Sequence, residues 1–192
     1  MTLWFTSDHH FGHENIIKYC NRPFKTVDEM DEMLIANWNA VVKPTDTVYH
    51  LGDFCLFGYD AAQKYFSQLN GIIRVLRYTW HHDKRWIPEY GDMLVGLRSK
   101  SGSIVTFHPP MVVLEFPEYG NGKHPKALVL CHYPLSVWDR KHYGAWHLFG
   151  HSHGQHIVGG LSLDVGVDNF DFQPVHLENV AHIMEGLKEL RS

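Results

Sequence analysis

No apolar run in the sequence approaches the ~20 residues that a helix needs to cross a bilayer. The first residues, Met1-Thr2-Leu3-Trp4-Phe5-Thr6-Ser7-Asp8, lack a basic region followed by the apolar stretch of a signal peptide. These absences argue against a membrane protein or a secreted precursor and favour a cytoplasmic one. Cysteine is scarce: Cys20, Cys55 and Cys131 form an odd, widely spaced set, which reads as free thiols in a reducing compartment. Positive charge is not in excess either. Lysine and arginine number 17 against 21 acidic residues, a net charge of −4, which disfavours a broad basic face for nucleic acid. Internal repeats, low-complexity tracts and Pro/Gly linkers are missing, so residues 1–192 read as one domain. Histidine, by contrast, is abundant at 16 of 192 residues, and it is the commonest metal ligand.

Local patterns set out an alternation of strands and helices. Leu3 to Ser7 is a short apolar strand. Thr26 with Glu29 three residues on is a capping-box signature, and Met30, Met33, Leu34, Trp38 and Val41 then recur at helical spacing, predicting a helix from about Val27 to Val41. Thr47 to Leu51 reads as a buried strand. Asp60 is placed to cap a helix carrying Ala61, Ala62, Tyr65, Phe66 and Leu69, stopped by Asn70-Gly71. Ile72 to Leu76 is a β-branched strand. Ser103–His108 and Met111–Phe116, either side of Pro109-Pro110, read as neighbouring strands, although two prolines exclude a tight hairpin. Ala127–Cys131 and Ala145–Phe149 are further strands, and segments near His156–Val158, Ser162–Val165 and Val175–Leu177 read as antiparallel ones. Val180, Ile183, Met184, Leu187 and Leu190 mark a C-terminal amphipathic helix. Alternation first and strands later predict an α/β architecture, a two-sheet mixed β-sandwich flanked by helices.

Five of these strands end in residues able to hold a metal: Asp8/His10, Asp53, His81/His82/Asp83, His132 and His151/His153. The C-terminal edges of strands in α/β sheets are where loops converge on a ligand. Each piece alone is cheap, since Asp-x-His arises by chance and Gly-Asp is most often a turn. His151-x-His153 is stronger, because two imidazoles at a spacing of two share one side of an extended segment.

Asp8-x-His10, Gly52-Asp53, His82-Asp83, His132 and Gly150-His151-x-His153 resemble, in order, the signature blocks of the calcineurin-like metallophosphoesterases. The wider stretches Ser7–His13, Tyr49–Asp53 and Trp146–His153 resemble the small bacterial and phage-type phosphohydrolases of that superfamily. The resemblance implies the calcineurin-like fold and hydrolysis of a phosphodiester or phosphomonoester by a metal-bridging hydroxide. It also implies two divalent ions of Mn, Fe, Zn or Ni type, which mixed carboxylate and imidazole donors suit. One ion would take Asp8, His10, Asp53 and His153; the other Asp53, His132, His151 and a residue near His82. A carboxylate such as Asp53 can bridge ions roughly 3.5–4 Å apart. His82 would face the leaving oxygen as donor, with Asp83 orienting its ring. The implied substrate is a small phosphate ester or a nucleotide. A nucleic acid is less favoured, although Arg74, Arg77, Lys84 and Arg85 could form a local basic cluster.

One block departs from the family pattern, with Trp80-His81 standing where Gly-Asn is usual before His82-Asp83. His81 could replace the amide ligand, since imidazole is the stronger donor for Zn or Fe; the second ion could instead bind weakly. A third reading turns Arg77, Tyr78 and Trp80 onto a substrate, by stacking and phosphate pairing. The same departure leaves room for a non-catalytic member of the fold acting as a protein-interaction scaffold. His13 and His142 are placed as further substrate contacts. His9 and His50 are assigned packing or supporting roles, and Asp164 and Asp168 structural hydrogen bonds.

Overall fold

The computed structural model describes residues 2–77, 82–87, 96–122 and 124–189, in which four α-helices and nine strands form. In chain order the first half runs β1 (Leu3–Thr6), α1 (Glu14–Tyr19), α2 (Val27–Val41), β2 (Thr47–His50), α3 (Tyr59–Phe66), β3 (Ile72–Leu76) and β4 (Thr106–His108). The second half runs β5 (Met111–Phe116), β6 (Lys126–Cys131), β7 (Trp146–Phe149), β8 (Ser162–Asp164), β9 (Val175–His176) and α4 (Leu177–Glu189). No helix of the described residues is long and apolar enough to cross a membrane.

Helix α2 has the bounds its periodicity predicts. Thr26 Oγ1 accepts the Glu29 amide at 3.2 Å, satisfying one free donor of the first turn, and the Glu29 carboxylate accepts the Lys25 amide at 2.8 Å just before it. Its buried stripe is Met30, Leu34 and Trp38. The cap expected from Asp60 lies elsewhere. Gly58 is the N-cap of α3 and Asp60 falls within the first turn, where its charge still favours the helix dipole.

The strands form two mixed sheets, in the orders β4-β3-β2-β1-β9 and β5-β6-β7-β8. In the first, β1 to β4 are parallel and only β9 is antiparallel. In the second, β5 is antiparallel to β6, while β6, β7 and β8 are parallel. Side-chain alternation along each strand sorts the core into layers. Val48, Ile73 and Val75 face α2 and α3, packing with Leu34, Trp38 and Phe66. Phe5, Tyr49 and Leu76 face the other way and meet Leu128, Leu130, Trp146 and Leu148 of the second sheet, together with Val180 and Met184 of α4.

Three expectations are corrected. The segments either side of Pro109-Pro110 do not pair with each other; β4 edges the first sheet and β5 the second. Proline supplies no amide to a ladder and holds an extended backbone, so the pair carries the chain across from sheet to sheet. Strand β8 runs parallel to β7 rather than antiparallel, and His156–Val158 forms no strand.

Candidate metal centre

Parallel strands β1, β2 and β3 end on the same side of the first sheet, and β6 and β7 do so in the second. The loops after them therefore meet. The Asp8 amide bonds to Gly52 O at 3.1 Å and the His10 amide to Asp53 O at 3.0 Å, joining the β1 and β2 loops. The Gly150 amide bonds to His132 O at 2.9 Å, joining the β6 and β7 loops. The two sheets are tied where the His151 amide donates to Asp8 Oδ2 at 2.9 Å. Residue 150 must be glycine for that approach, since a Cβ there would collide with Ser7 Oγ and Asp8 Oδ2. Gly52, at φ +129, is similarly pressed: its Cβ would stand 2.9 Å from His132 Nδ1.

Two groups of potential ligands result. The ligand atoms of Asp8, His10 and His153 lie within 4.8 Å of one another, and so do those of Asp53, His132 and His151. Asp53 Oδ2 stands between the groups, 3.6 Å from His10 Nε2 and 3.7 Å from His132 Nε2. Asp8 Oδ1 and both ring nitrogens of His10 are buried with no hydrogen-bond partner among the described residues. Stranding such groups costs about 1–3 kcal/mol each, and a cation would meet Asp8 Oδ1 and one nitrogen of His10 at once. Carboxylate and imidazole donors, buried and converging, fit divalent transition metals. The backbone carries strain here too: Asp8, His10, Asp53, His151 and His153 all have φ between 47° and 67°. Asp and His tolerate the left-handed region better than most residues, yet such positions cost about 1–3 kcal/mol each and cluster at functional sites.

The surrounding residues hold these turns. Arg22, buried after α1, donates from Nε and Nη2 to the two carboxylate oxygens of Asp168 at 2.7 and 2.8 Å. Its other hydrogen bonds go to Asp8 O at 2.7 Å and His9 O at 2.9 Å. Asp168 Oδ2 also meets His153 Nδ1 at 2.7 Å, fixing the ring so that Nε2 is the nitrogen left for a ligand. Asp164 receives Ser152 Oγ at 2.6 Å and the Gly154 amide at 3.0 Å, bracing the His151–His153 turn. Asp31 of α2 accepts the Gly12 amide at 3.1 Å and the Tyr65 hydroxyl at 2.7 Å, holding the loop between His10 and His13. His9 and His50 bond to each other at 2.9 Å behind the loops, in supporting positions.

Burial dominates the electrostatics. It pushes Asp8 up to about 8, with Asp53 and Asp164 adding repulsion against the pull of His153. It also raises Asp83 well above the carboxylate range and holds His10 well below the imidazole range. For His153 burial works downward, but its hydrogen bonds to Asp168 and Cys20 and the Asp8 charge lift it to about 10. Burial likewise opposes the ionised Asp168, and His153 and Arg22 overcome it, leaving a pKa of about 2. So many carboxylates in a dry space call for positive charge.

Of the residues singled out in the sequence, Asp8, His10, Asp53, His132, His151 and His153 are brought together. His82 opens a 3-10 turn (His82–Arg85), its ring 5.0 Å from that of His10 and 5.2 Å from that of His13. Asp83 does not orient His82. Its Oδ1 accepts the Phe54 and Cys55 amides at 2.9 and 3.1 Å, bracing the turn that carries Asp53. Successive residues of a helical turn project apart, so the two side chains serve different loops. Arg77 ends β3, its amide bonded to His108 O at 2.9 Å. His142 is exposed, its ring centroid 4.0 Å from that of Tyr143 and tilted by 44°, and joins neither ligand group. Trp80 and His81 lie outside the described residues. Sequence reasoning missed Arg22 altogether; its partner Asp168 is 146 positions away, and no local motif marks either.

An α/β fold of two mixed sheets, with an aspartate–histidine cluster where their parallel strands end, is thus the class of protein in hand. The chain is 32% identical to the uncharacterized protein MJ1445 of Methanocaldococcus jannaschii over 199 aligned positions, covering 99% of this chain and 95% of that protein, and it belongs to the same family. A shorter match, 44% identical over 50 residues, links 26% of the chain to 24% of the Gene 66 protein of Mycobacterium phage L5. The crystal structure of AQ665, a protein of unknown function from Aquifex aeolicus, superposes with a TM-score of 0.64 at 22% identity, over 95% of this chain and 98% of that one, a likeness of fold. No family model matches the chain.

Proposed function

We propose that this protein is a metal-dependent phosphoesterase of the calcineurin-like type, with a two-metal centre that hydrolyses a phosphodiester or phosphomonoester. The observation that carries the reading is Asp53 Oδ2, standing 3.6 and 3.7 Å from a histidine nitrogen of each ligand group. Asp8, His10, Asp53 and His153 would hold one divalent ion, and Asp53, His132 and His151 the other, with His81 the expected fourth ligand. Two such ions, when bound, supply Lewis acidity and lower the pKa of a coordinated water toward neutrality.

The chain's own residues supply the rest. Asp168 fixes the His153 tautomer, Arg22 clamps the Asp8–His9 backbone, and Asp83 holds the Phe54 and Cys55 amides so that Asp53 keeps its turn. His82, beside His10, is placed to donate a proton to a leaving oxygen. His13 lies next to it, and Arg77 with Trp80 is assigned to the substrate side. The substrate proposed is a small phosphate ester or nucleotide, and three free thiols suit a cytoplasmic setting.

The test is elemental analysis of metal per chain, run beside hydrolysis of bis(p-nitrophenyl) phosphate and p-nitrophenyl phosphate with Mn, Zn, Ni or no added metal. Near two ions per chain with metal-dependent turnover is expected. One ion or fewer without turnover would overturn the reading and favour the scaffold role.

A further inference from the structure

Beside the two ligand groups stands a third cluster that contains no carboxylate. His10, His13 and His82 each offer a ring nitrogen, and these nitrogens lie within 4.8 Å of one another. The ring centroids are 5.0 Å apart for His10–His82, 5.2 Å for His13–His82 and 5.6 Å for His10–His13. Three separate devices hold them. His10 sits in a left-handed turn, His13 is the N-cap of α1 behind a Gly12 amide fixed by Asp31, and His82 begins its own 3-10 turn. Nδ1 of His13 and both nitrogens of His10 are buried without a hydrogen-bond partner among the described residues. A buried ring nitrogen left unbonded is costly, and three converging imidazoles are a ligand set suited to zinc, nickel or copper.

We infer that His10, His13 and His82 form an additional, inhibitory cation site selective for ions that favour imidazole. The inhibitory part rests on the proposed phosphoesterase reading; the binding part does not. Imidazoles attract a cation less than groups containing Asp8 or Asp53, and His10 is shared with the first group; while that group holds its ion, the trio gains the second His10 nitrogen only as an imidazolate, the ring proton passing to water. The trio therefore fills last, as free zinc rises. An ion held there occupies the lone pair of His82 and removes it as a proton donor. Mn and Mg, which prefer oxygen ligands and stand low in the affinity order, should leave the trio empty.

The experiment counts bound zinc by equilibrium dialysis and elemental analysis in wild type, His13→Gln, Asp53→Asn and the double variant, with Mn as control. His13→Gln is expected to lower the zinc count by one, in both the wild-type and Asp53→Asn backgrounds, and to leave the Mn count unchanged. In Mn-loaded enzyme, with each variant scaled to its own rate, His13→Gln should raise the inhibitory zinc concentration at least about tenfold, the lower end of what a disturbed metal site loses. Equal zinc counts with and without His13 would overturn the site, whatever the turnover. Full metal content and turnover in Asp53→Asn would instead overturn the two-metal reading, and the zinc difference between Asp53→Asn and the double variant would still decide the trio. If His13→Gln does not fold, His82→Gln is measured in its place with the same expected count.

Discussion

The two ligand groups use the same residue types and are held in different ways. Asp8, His10 and His153 are gripped by side chains from distant parts of the chain: Arg22 on the Asp8–His9 carbonyls, and Asp168 between Arg22 and His153. Asp53 and His151 are held through their turns, with Asp83 under the first and Asp164 bracing the second. Asp8 and His10 are buried and His153 half-buried, whereas the second group opens at His151, an exposed side chain whose ring rests 4.8 Å from that of Tyr133. A buried guanidinium has no water to fall back on, so Arg22 must satisfy its donors on protein atoms, and in doing so it pins the first turn. The second turn keeps a solvent face through which ligands can exchange. The difference teaches that one half of the centre is gripped by the fold and the other keeps an open face.

Removing the grip should have the largest effect. Arg22→Ala leaves the half-buried Asp168 with His153 alone and strands the buried Asp8 and His9 carbonyls, and the expected loss is about 3–5 kcal/mol of unfolding free energy by urea titration. Arg22→Lys should restore little of it, since an ammonium cannot match a bidentate carboxylate and two carbonyls. An unchanged urea midpoint for Arg22→Ala would show that the contrast between the groups is not energetic.

Asp53→Asn tests what the groups share. Losing the oxygen between them should cut metal-dependent turnover at least about 100-fold, the upper end of the effect of lesser changes around metal sites. Retained turnover would mean that the groups work independently. Asp168→Asn separates them. It should weaken the first ion about 10- to 100-fold through His153 and leave the second ion's affinity as it was, read by competition with a chelator. Equal weakening at both sites would erase the distinction.

The last effect is a pH dependence outside both groups. Burial holds His50 at about 3, against 6.5 in an unfolded chain. The unfolded state therefore binds the proton first on acidification. The stability His50 contributes is complete above pH 6.5 and is lost as pH falls toward 3. His50→Asn should flatten that part of the stability curve relative to wild type, and parallel curves would remove His50 from the account.

Helix α2 was legible because everything that makes it, from Thr26 to Val41, lies within a few turns of one stripe. The ligand positions were legible for a similar reason: a β-branched or apolar run followed by Asp or His names both the strand and what it delivers. Asp83 was legible as a buried group beside the centre but not in its task, because which amides it meets depends on where the β2 loop lies. The partition of β4 and β5 into different sheets was hidden as well, since both read as strands and pairing is a property of neighbours.

By itself, then, the sequence determined helices α2, α3 and α4 but not the short α1, most of the strands and the residue types delivered at their ends, all of which are encoded in windows of a few to fifteen residues by side-chain period and capping. Only the tertiary structure decided that β8 runs parallel to β7, that Arg22 reaches Asp168 across 146 positions and that His13 and His82, from outside the two ligand groups, converge on His10. Those contacts form because packing two sheets face to face brings distant loops to one edge, and no local pattern encodes which loops will meet there.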